Sequence, residues 1–146
     1  MEKLIFDTGV KEYDLGFGVP LRFNPTDPNV YARFMEAAEK ITEIEKELVK
    51  RGEAEGATGE DAIRLMAEAD QRTKELLNQA FGGGNDFHAI MGGVNLLAVG
   101  SNGERVVTNL FAALTPVMVS GAQRCASNEV AQAKLNREQR RAMMKA

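Results

Sequence analysis

An apolar stripe within residues 28–51 constrains the fold of this chain more than any other feature of its sequence. Apolar side chains recur there at intervals of four, three, four, three and four residues, and the positions between them are largely charged. This spacing places the apolar side chains on one face of an α-helix. We therefore predict a helix over residues 28–51 that buries Val30, Phe34, Ala37, Ile41, Ile44 and Leu48.

A second helix is predicted after the glycine-containing link at residues 52–59. Thr58 is suited to cap its first turn, and helical spacing continues through Ile63, Met66, Ala69, Leu76, Leu77, Ala80 and Phe81. Opposite charges four positions apart support both helices, in the pairs Glu36 with Lys40, Glu47 with Arg51, Glu60 with Arg64, and Glu68 with Arg72. A short polar link between two helices favours an antiparallel hairpin.

The start of the chain alternates as a β-hairpin does. Two apolar runs flank Gly16 and Gly18, which predicts two strands with a turn at these glycines, and a third strand at residues 4–6 stays open. So small a sheet is marginal alone, so one of its faces must pack on helices or on another subunit. Its unpaired edges could also add strands between subunits.

The stretch RFNPTDPNVYARF joins this hairpin to the first helix. Pro25 restricts Asn24 to an extended conformation, which ends the strand. Thr26 or Asp27 can cap the helix, and Pro28 has the fixed φ suited to its first position. We interpret the joint as structural; a partner bound there would be another protein subunit.

Glycines divide the remainder of the chain. Residues 82–84 are expected to end the second helix, and Asn85 or Asp86 to cap a short turn through Phe87, Ile90 and Met91. A third helix is predicted over residues 103–118, with Pro116 near its end and with Val107, Leu110, Phe111 and Leu114 facing inward.

These elements predict an α+β fold, an N-terminal β-hairpin of two or three strands followed by a mainly α-helical bundle. The hairpin region covers residues 1–26, and the helical body of the same domain covers residues 27–122. Residues 123–146 form a basic tail that has helical propensity but few large apolar side chains. We expect this tail to be mobile unless a partner orders it.

The net charge of −3 is unevenly distributed. Residues 124–146 contain six basic and two acidic side chains, a net charge of +4, which leaves −7 for residues 1–123. The acidic body argues against nucleic acid as the main partner, and the basic tail is typical of an interaction arm or a solvated end. The sequence has no run of eighteen apolar residues and no recognisable leader, so we expect an intracellular protein without a membrane span.

Catalytic and metal-binding patterns are missing from the sequence. The single histidine, His88, and the single cysteine, Cys125, have no neighbouring ligands of the kind zinc requires. The glycine clusters match neither the P-loop nor the dinucleotide-binding pattern. The acidic series on the first helix (Glu36, Glu39, Glu43 and Glu47) is typical of a solvated face. We therefore predict no catalytic residue, no metal, no cofactor and no enzymatic activity.

Four segments together resemble the small tail assembly chaperones of long-tailed bacteriophages and prophages, in particular those of Gram-positive bacteria. They are FDTGVKEYDLG, LRFNPTDPNVYARF, LLNQAFGGGNDFHAIMGG and VVTNLFAALTPVM, and they extend over most of residues 5–118. The resemblance implies a non-catalytic protein of the bacterial host cytoplasm that leaves before the virion matures. It also implies that the protein keeps the tape measure protein soluble and helps recruit the major tail tube protein.

A chaperone of this kind needs apolar surface for a long amphipathic helix. The candidate partner-binding residues are Val30, Phe34, Ile41, Ile44, Leu48, Met66, Phe81 and Phe111. Four methionines (Met35, Met66, Met91 and Met118) suit either an adaptable surface or simple core filling. A homo-oligomer, either a ring or a helical assembly, is a further expectation.

Two other function classes remain open. The basic tail could serve a small nucleic-acid-binding or regulatory protein, whose binding would weaken with salt. Alternatively, the chain could be a structural tail or connector protein that persists in the mature particle.

Overall fold

The computed structural model describes residues 1–54 and 59–145 of the chain. The elements are β1 (Lys11–Tyr13), β2 (Leu21–Phe23), α1 (Pro28–Ala54), α2 (Gly59–Phe81), α3 (Phe87–Ile90) and α4 (Val106–Lys145). An N-terminal hairpin followed by a mainly helical body confirms the predicted α+β fold class. The cap predicted at Thr58 lies outside the described residues.

α1 and α2 pack as the predicted antiparallel hairpin. Near the start of α1, Arg33 Nε donates to the carbonyl oxygen of Ala80 at 2.9 Å, and further along, Arg72 lies 3.3 Å from Glu47. Residue numbers thus rise along one helix as they fall along the other. The predicted apolar stripe of α1 is buried except for Leu48, which is half-buried.

The buried stripe of α2 differs from the prediction. Ile63 is 70% exposed, and Leu65 is buried in its place. Ile63 and Leu65 are two positions apart, which corresponds to a rotation of about 200° around the helix, so they cannot both face the core. The polar side chains of Thr73 and Lys74 are also buried, and the Thr73 hydroxyl donates to the carbonyl oxygen of Ala69 at 2.8 Å. Because that hydroxyl is satisfied within its own helix, Thr73 can occupy a core position.

The hairpin turns where the sequence predicts. β1 and β2 are antiparallel, and Gly16 and Gly18 between them have φ values of 94° and 85°, which favour glycine. Leu21 and Phe23 face the core, where Phe23 packs edge-on against Phe81 at a ring-centroid distance of 4.9 Å. The third strand left open at residues 4–6 is not formed: these residues are exposed and belong to no strand, and the sheet consists of β1 and β2.

Asn85 occupies the outer edge of β2. Its Oδ1 accepts from the N–H of Arg22 at 2.9 Å, and its Nδ2 donates to the carbonyl oxygen of Arg22 at 2.7 Å. The N–H and C=O of one residue in an antiparallel strand point to the same side, so these groups of Arg22 face away from β1. Asn85 therefore takes the place of a third strand, and the outward peptide groups of the sheet are those of Glu12 on β1, opposite Arg22.

The glycine stop and the cap of α3 are confirmed. Gly82, Gly83 and Gly84 all have positive φ, and α2 ends just before them. Asp86 is the N-cap of α3, and its side chain accepts from the N–H of His88 at 3.0 Å. Asp86 thus satisfies one of the amides left unpaired at the start of the helix.

α4 is longer than predicted. It begins at Val106 and continues through Pro116 to Lys145, so the prediction that it ends near residue 118 is wrong. Pro116 is exposed, and the residues after Gly121 include no further proline or glycine. Alanine, glutamine, arginine and lysine, which favour helices, dominate that part of the chain. The tail is therefore helical, while its mobility stays a prediction.

Candidate partner-binding surface

The predicted partner-binding residues are mostly core residues. Leu48, Met66 and Phe111 are half-buried and pack against the core, and the other five are at most 5% exposed: Val30, Phe34, Ile41, Ile44 and Phe81. Of the four methionines, Met91 and Met118 are buried, Met66 is half-buried and Met35 is 46% exposed. The eight side chains hold the helices together, so a surface for a partner has to be found beside them.

The contact between α1 and α4 creates such a surface. The rings of Phe34 and Phe111 meet edge-on with their centroids 5.3 Å apart, and Glu45 lies 4.0 Å from Arg105. The residue numbers rise along α1 as they fall along α4, so the two helices are antiparallel. Their inner sides face the core. We call the solvent-facing furrow expected between two adjacent helices on the outer side the α1–α4 groove.

This α1–α4 groove is bordered by uncharged side chains. Helical geometry places residues one, four and eight positions after Phe34 and after Phe111 on the flanks next to that contact. The six residues on these flanks are Met35, Ala38 and Thr42 of α1, and Ala112, Thr115 and Val119 of α4. Ala38 is half-buried, the other five are exposed, and none carries a charge. The groove can therefore accept an apolar helix face without burying an unpaired charge.

The first half of α4 explains why the groove is uncharged. No Asp, Glu, Lys or Arg occurs in residues 106–123. By length and composition, α4 over Val106–Met144 is the one helix in the described part of the chain that could cross a membrane. Core helices pass the same test, and four positions on the inner side of α4 are buried in the core: Val107, Leu110, Leu114 and Met118. The composition is accordingly weak support for a membrane span.

Basic side chains lie at one end of the groove. A cleft of 460 Å³ there is lined by Thr42, Glu45, Lys46, Val49, Lys50 and Arg105. Within the described residues, Nη1 of Arg105 is buried and has no hydrogen-bond partner, and its Nε is 4.0 Å from Glu45.

Beyond the other end of the groove α4 leaves the body of the protein. Gly121 is its last buried residue, and every side chain over residues 126–144 is exposed. We call residues 122–145 the α4 extension. Its 24 residues correspond to about 36 Å of helix at 1.5 Å per residue. Lys134, Arg137 and Arg141 follow each other at helical spacing and form one basic stripe, with Glu138 at its edge.

The joint at residues 24–28 contacts both the N-terminal segment and the last buried turn of α4. Asn24 Nδ2 donates to the carbonyl oxygen of Thr8 at 3.0 Å and so holds the N-terminal segment. Pro25 packs against Gly121, where α4 leaves the body. Asp27 caps α1, since its side chain accepts from the N–H of Asn29 at 2.9 Å. The structural interpretation of the joint agrees with these contacts, which reach further than the sequence suggests.

A buried ion pair ties α2 to the segment before α4. Lys74 Nζ lies 2.8 Å from Asp70 Oδ2, and the two side chains are 3% and 12% exposed. The other oxygen, Oδ1, accepts from the N–H of Leu96 at 2.7 Å. All of these contacts are within the core, so the pair positions structure rather than a ligand. Among the described residues, no group of three or more His, Cys, Asp or Glu is placed to hold a metal ion.

Sequence reasoning did not identify the α1–α4 groove, although two signals for it exist. One is the absence of charge over residues 106–123, and the other is the uncharged series Met35, Ala38 and Thr42 beside the buried stripe. Both acquire meaning only once α1 and α4 are known to be neighbours. Comparison of the chain with protein-family models, curated proteins and solved structures finds no match.

Proposed function

We propose that this chain is a tail assembly chaperone of a long-tailed bacteriophage or prophage, which binds and solubilises the tape measure protein. The resemblance of its four sequence segments to that family motivates the proposal. The observation that carries it is the uncharged surface of the α1–α4 groove, where Met35 and Val119 are 46% and 40% exposed. The proposed role is non-catalytic, in the cytoplasm of the bacterial host.

The groove suits one stage of tail assembly. A long amphipathic helix that has not yet assembled exposes an apolar stripe and tends to aggregate. Helix-in-groove recognition covers such a stripe with apolar side chains spaced along one face. Met35 adapts its shape to different side chains, and the small residues Ala112 and Thr115 allow close approach. In this proposal the protein also helps recruit the major tail tube protein and is absent from the mature virion.

Co-expression with the tape measure protein of the same phage or prophage tests the proposal. We expect the wild-type chain to keep the tape measure protein in the soluble fraction and to co-purify with it. The variant Ala112→Glu with Thr115→Glu should lose both effects, because a bound helix would bury two unpaired carboxylates. The matched control, Ala113→Glu with Ser120→Glu, alters exposed positions of α4 outside the groove and should behave as wild type. An insoluble tape measure protein with the wild-type chain would refute the proposal.

The α4 extension favours a second candidate function, binding to nucleic acid. Its basic stripe is exposed and could contact a phosphate backbone. Binding of this kind would weaken steeply as salt rises and would be lost on removal of residues 124–146. Fluorescence anisotropy with a labelled DNA duplex over a salt series distinguishes it from chaperone activity, which depends on the groove.

A further inference from the structure

A second groove lies on the outer side of the α1–α2 hairpin. Ile44 and Leu76 form part of its lining, and the charged residues around its main cavity of 360 Å³ are Lys40, Glu43, Glu47, Arg72 and Glu75. Smaller cavities continue it towards both ends of the two helices. The groove follows α1 for the 19 residues from Arg33 to Arg51, about 28 Å of helix. It therefore offers a long furrow with an apolar floor and a charged rim.

The charged residues that line this α1–α2 groove have a small acidic excess. Five are acidic and four are basic, a net charge of −1. They are Glu36, Glu43, Glu47, Glu68 and Glu75, with Arg33, Lys40, Arg51 and Arg72. Lys40 and Arg51 lie on α1, 3.3–4.0 Å from Glu36 and Glu47, and Arg72 of α2 reaches across the groove to within 3.3 Å of Glu47. The α2 side presents two exposed acidic residues, Glu68 and Glu75, on either side of Arg72.

The α4 extension has the opposite charge and is long enough to span the groove. It is about 36 Å long, and the region that contains it has a net charge of +4. Lys134 and Arg141 are seven residues apart on its basic stripe, and Glu68 and Glu75 are seven residues apart on α2. Two helical turns span about 10.5 Å in both cases, so two ion pairs can form together when the helices lie side by side.

We propose that the α4 extension of one copy lies along the α1–α2 groove of a second copy. The extension projects from the end of the body at which Pro25 meets Gly121, so it is available to a neighbour. Two extensions would repel each other, because both are basic. The contact therefore joins two different surfaces, and repetition of such a contact produces a closed ring or an open filament. The inference goes beyond the proposed function and does not require the tape measure protein.

Light scattering of the full-length chain coupled to size-exclusion chromatography tests this contact. At about 50 mM salt and tens of micromolar protein we expect a mass of several copies, and at about 500 mM salt a mass close to that of one copy. The charge-reversal variant Lys134→Glu with Arg141→Glu should be monomeric at low salt. The reciprocal variant, Glu68→Lys with Glu75→Lys, should be monomeric as well. All four positions are exposed, so circular dichroism should show that both variants fold.

Mixing the two variants is the decisive step. The acidic extension of the first variant is complementary to the altered groove of the second, and the unaltered extension of the second is complementary to the unaltered groove of the first. The mixture should therefore regain association at low salt. Three results would overturn the proposal: a monomeric wild-type chain at low salt, assembly that survives either charge reversal, or variants that stay monomeric when mixed. No tape measure protein is present in this experiment, so its outcome is separate from that of the co-expression assay.

Discussion

Gly121 of α4 packs directly on the backbone carbonyl of Pro25, with no space between them for a Cβ atom. The contact lies where the strand-to-helix joint meets the last buried turn of α4. Asn24, one residue earlier, holds the N-terminal segment through its hydrogen bond to Thr8. The joint is therefore the point from which both the N-terminal segment and the α4 extension leave the body.

Replacement of Gly121 by alanine should destabilise the protein. The added methyl group would collide with the backbone of Pro25, so α4 or the joint has to shift. Overpacking of this kind costs about 1–3 kcal/mol, which exceeds the gain of up to about 1 kcal/mol from the better helix propensity of alanine. Urea denaturation followed by circular dichroism measures the difference.

Gly52 provides the matched control for this substitution. It also lies inside a helix, but nothing surrounds the position that a Cβ would take. Gly52→Ala should therefore stabilise the protein by about 0.5–1 kcal/mol. Equal effects of the two substitutions would contradict the steric explanation.

Asn85→Ala should weaken the attachment of the hairpin. The substitution removes both hydrogen bonds to Arg22 and leaves the outer edge of β2 without its partner. We expect a loss of about 1–3 kcal/mol in unfolding free energy and faster hydrogen exchange at the Arg22 amide. Asn85→Asp keeps an acceptor for the N–H of Arg22 but loses the donor. Protection of that amide in the aspartate variant but not in the alanine variant would separate the two bonds.

Where one periodic signal determines an element, the sequence was sufficient to predict it. The stripe from Val30 to Ile44 defines α1 and its buried side because five apolar positions agree on one face. The glycines before Asn85 likewise identify the end of α2, since three successive residues there have positive φ. In both cases the controlling interactions are local, and a single chain segment contains them.

The remaining features depend on contacts between distant segments. Asp70 and Thr73 are polar and give no sign of burial, yet their partners lie within α2 and at Leu96. The α1–α4 groove exists only because Phe34 and Phe111, which are separated by 76 residues in the sequence, are in contact. The extension of α4 was missed because Pro116 suggested a helix end, whereas the helix continues through that residue to Lys145.

The buried pair of Asp70 and Lys74 should be sensitive to the loss of one member. Asp70→Ala leaves the Lys74 ammonium group in the core without its carboxylate and also removes the acceptor for Leu96 N–H. Breaking a buried pair in this way costs about 3–5 kcal/mol. The double variant Asp70→Leu with Lys74→Met removes both charges and should recover part of that loss. If the double variant is no more stable than Asp70→Ala, an unpaired Lys74 is not the cause.

Removal of residues 124–146 should leave the stability of the body nearly unchanged. Side chains over residues 126–144 are exposed, and Gly121, the last buried residue of α4, is retained. Since the deleted turns make no core contact, the unfolding free energy should change by less than about 0.5 kcal/mol. The helical signal in circular dichroism should fall, because the deleted residues are helical up to Lys145. A loss of cooperative unfolding would instead mean that the extension supports the body, and residues 1–123 could not then be treated as an independent fold.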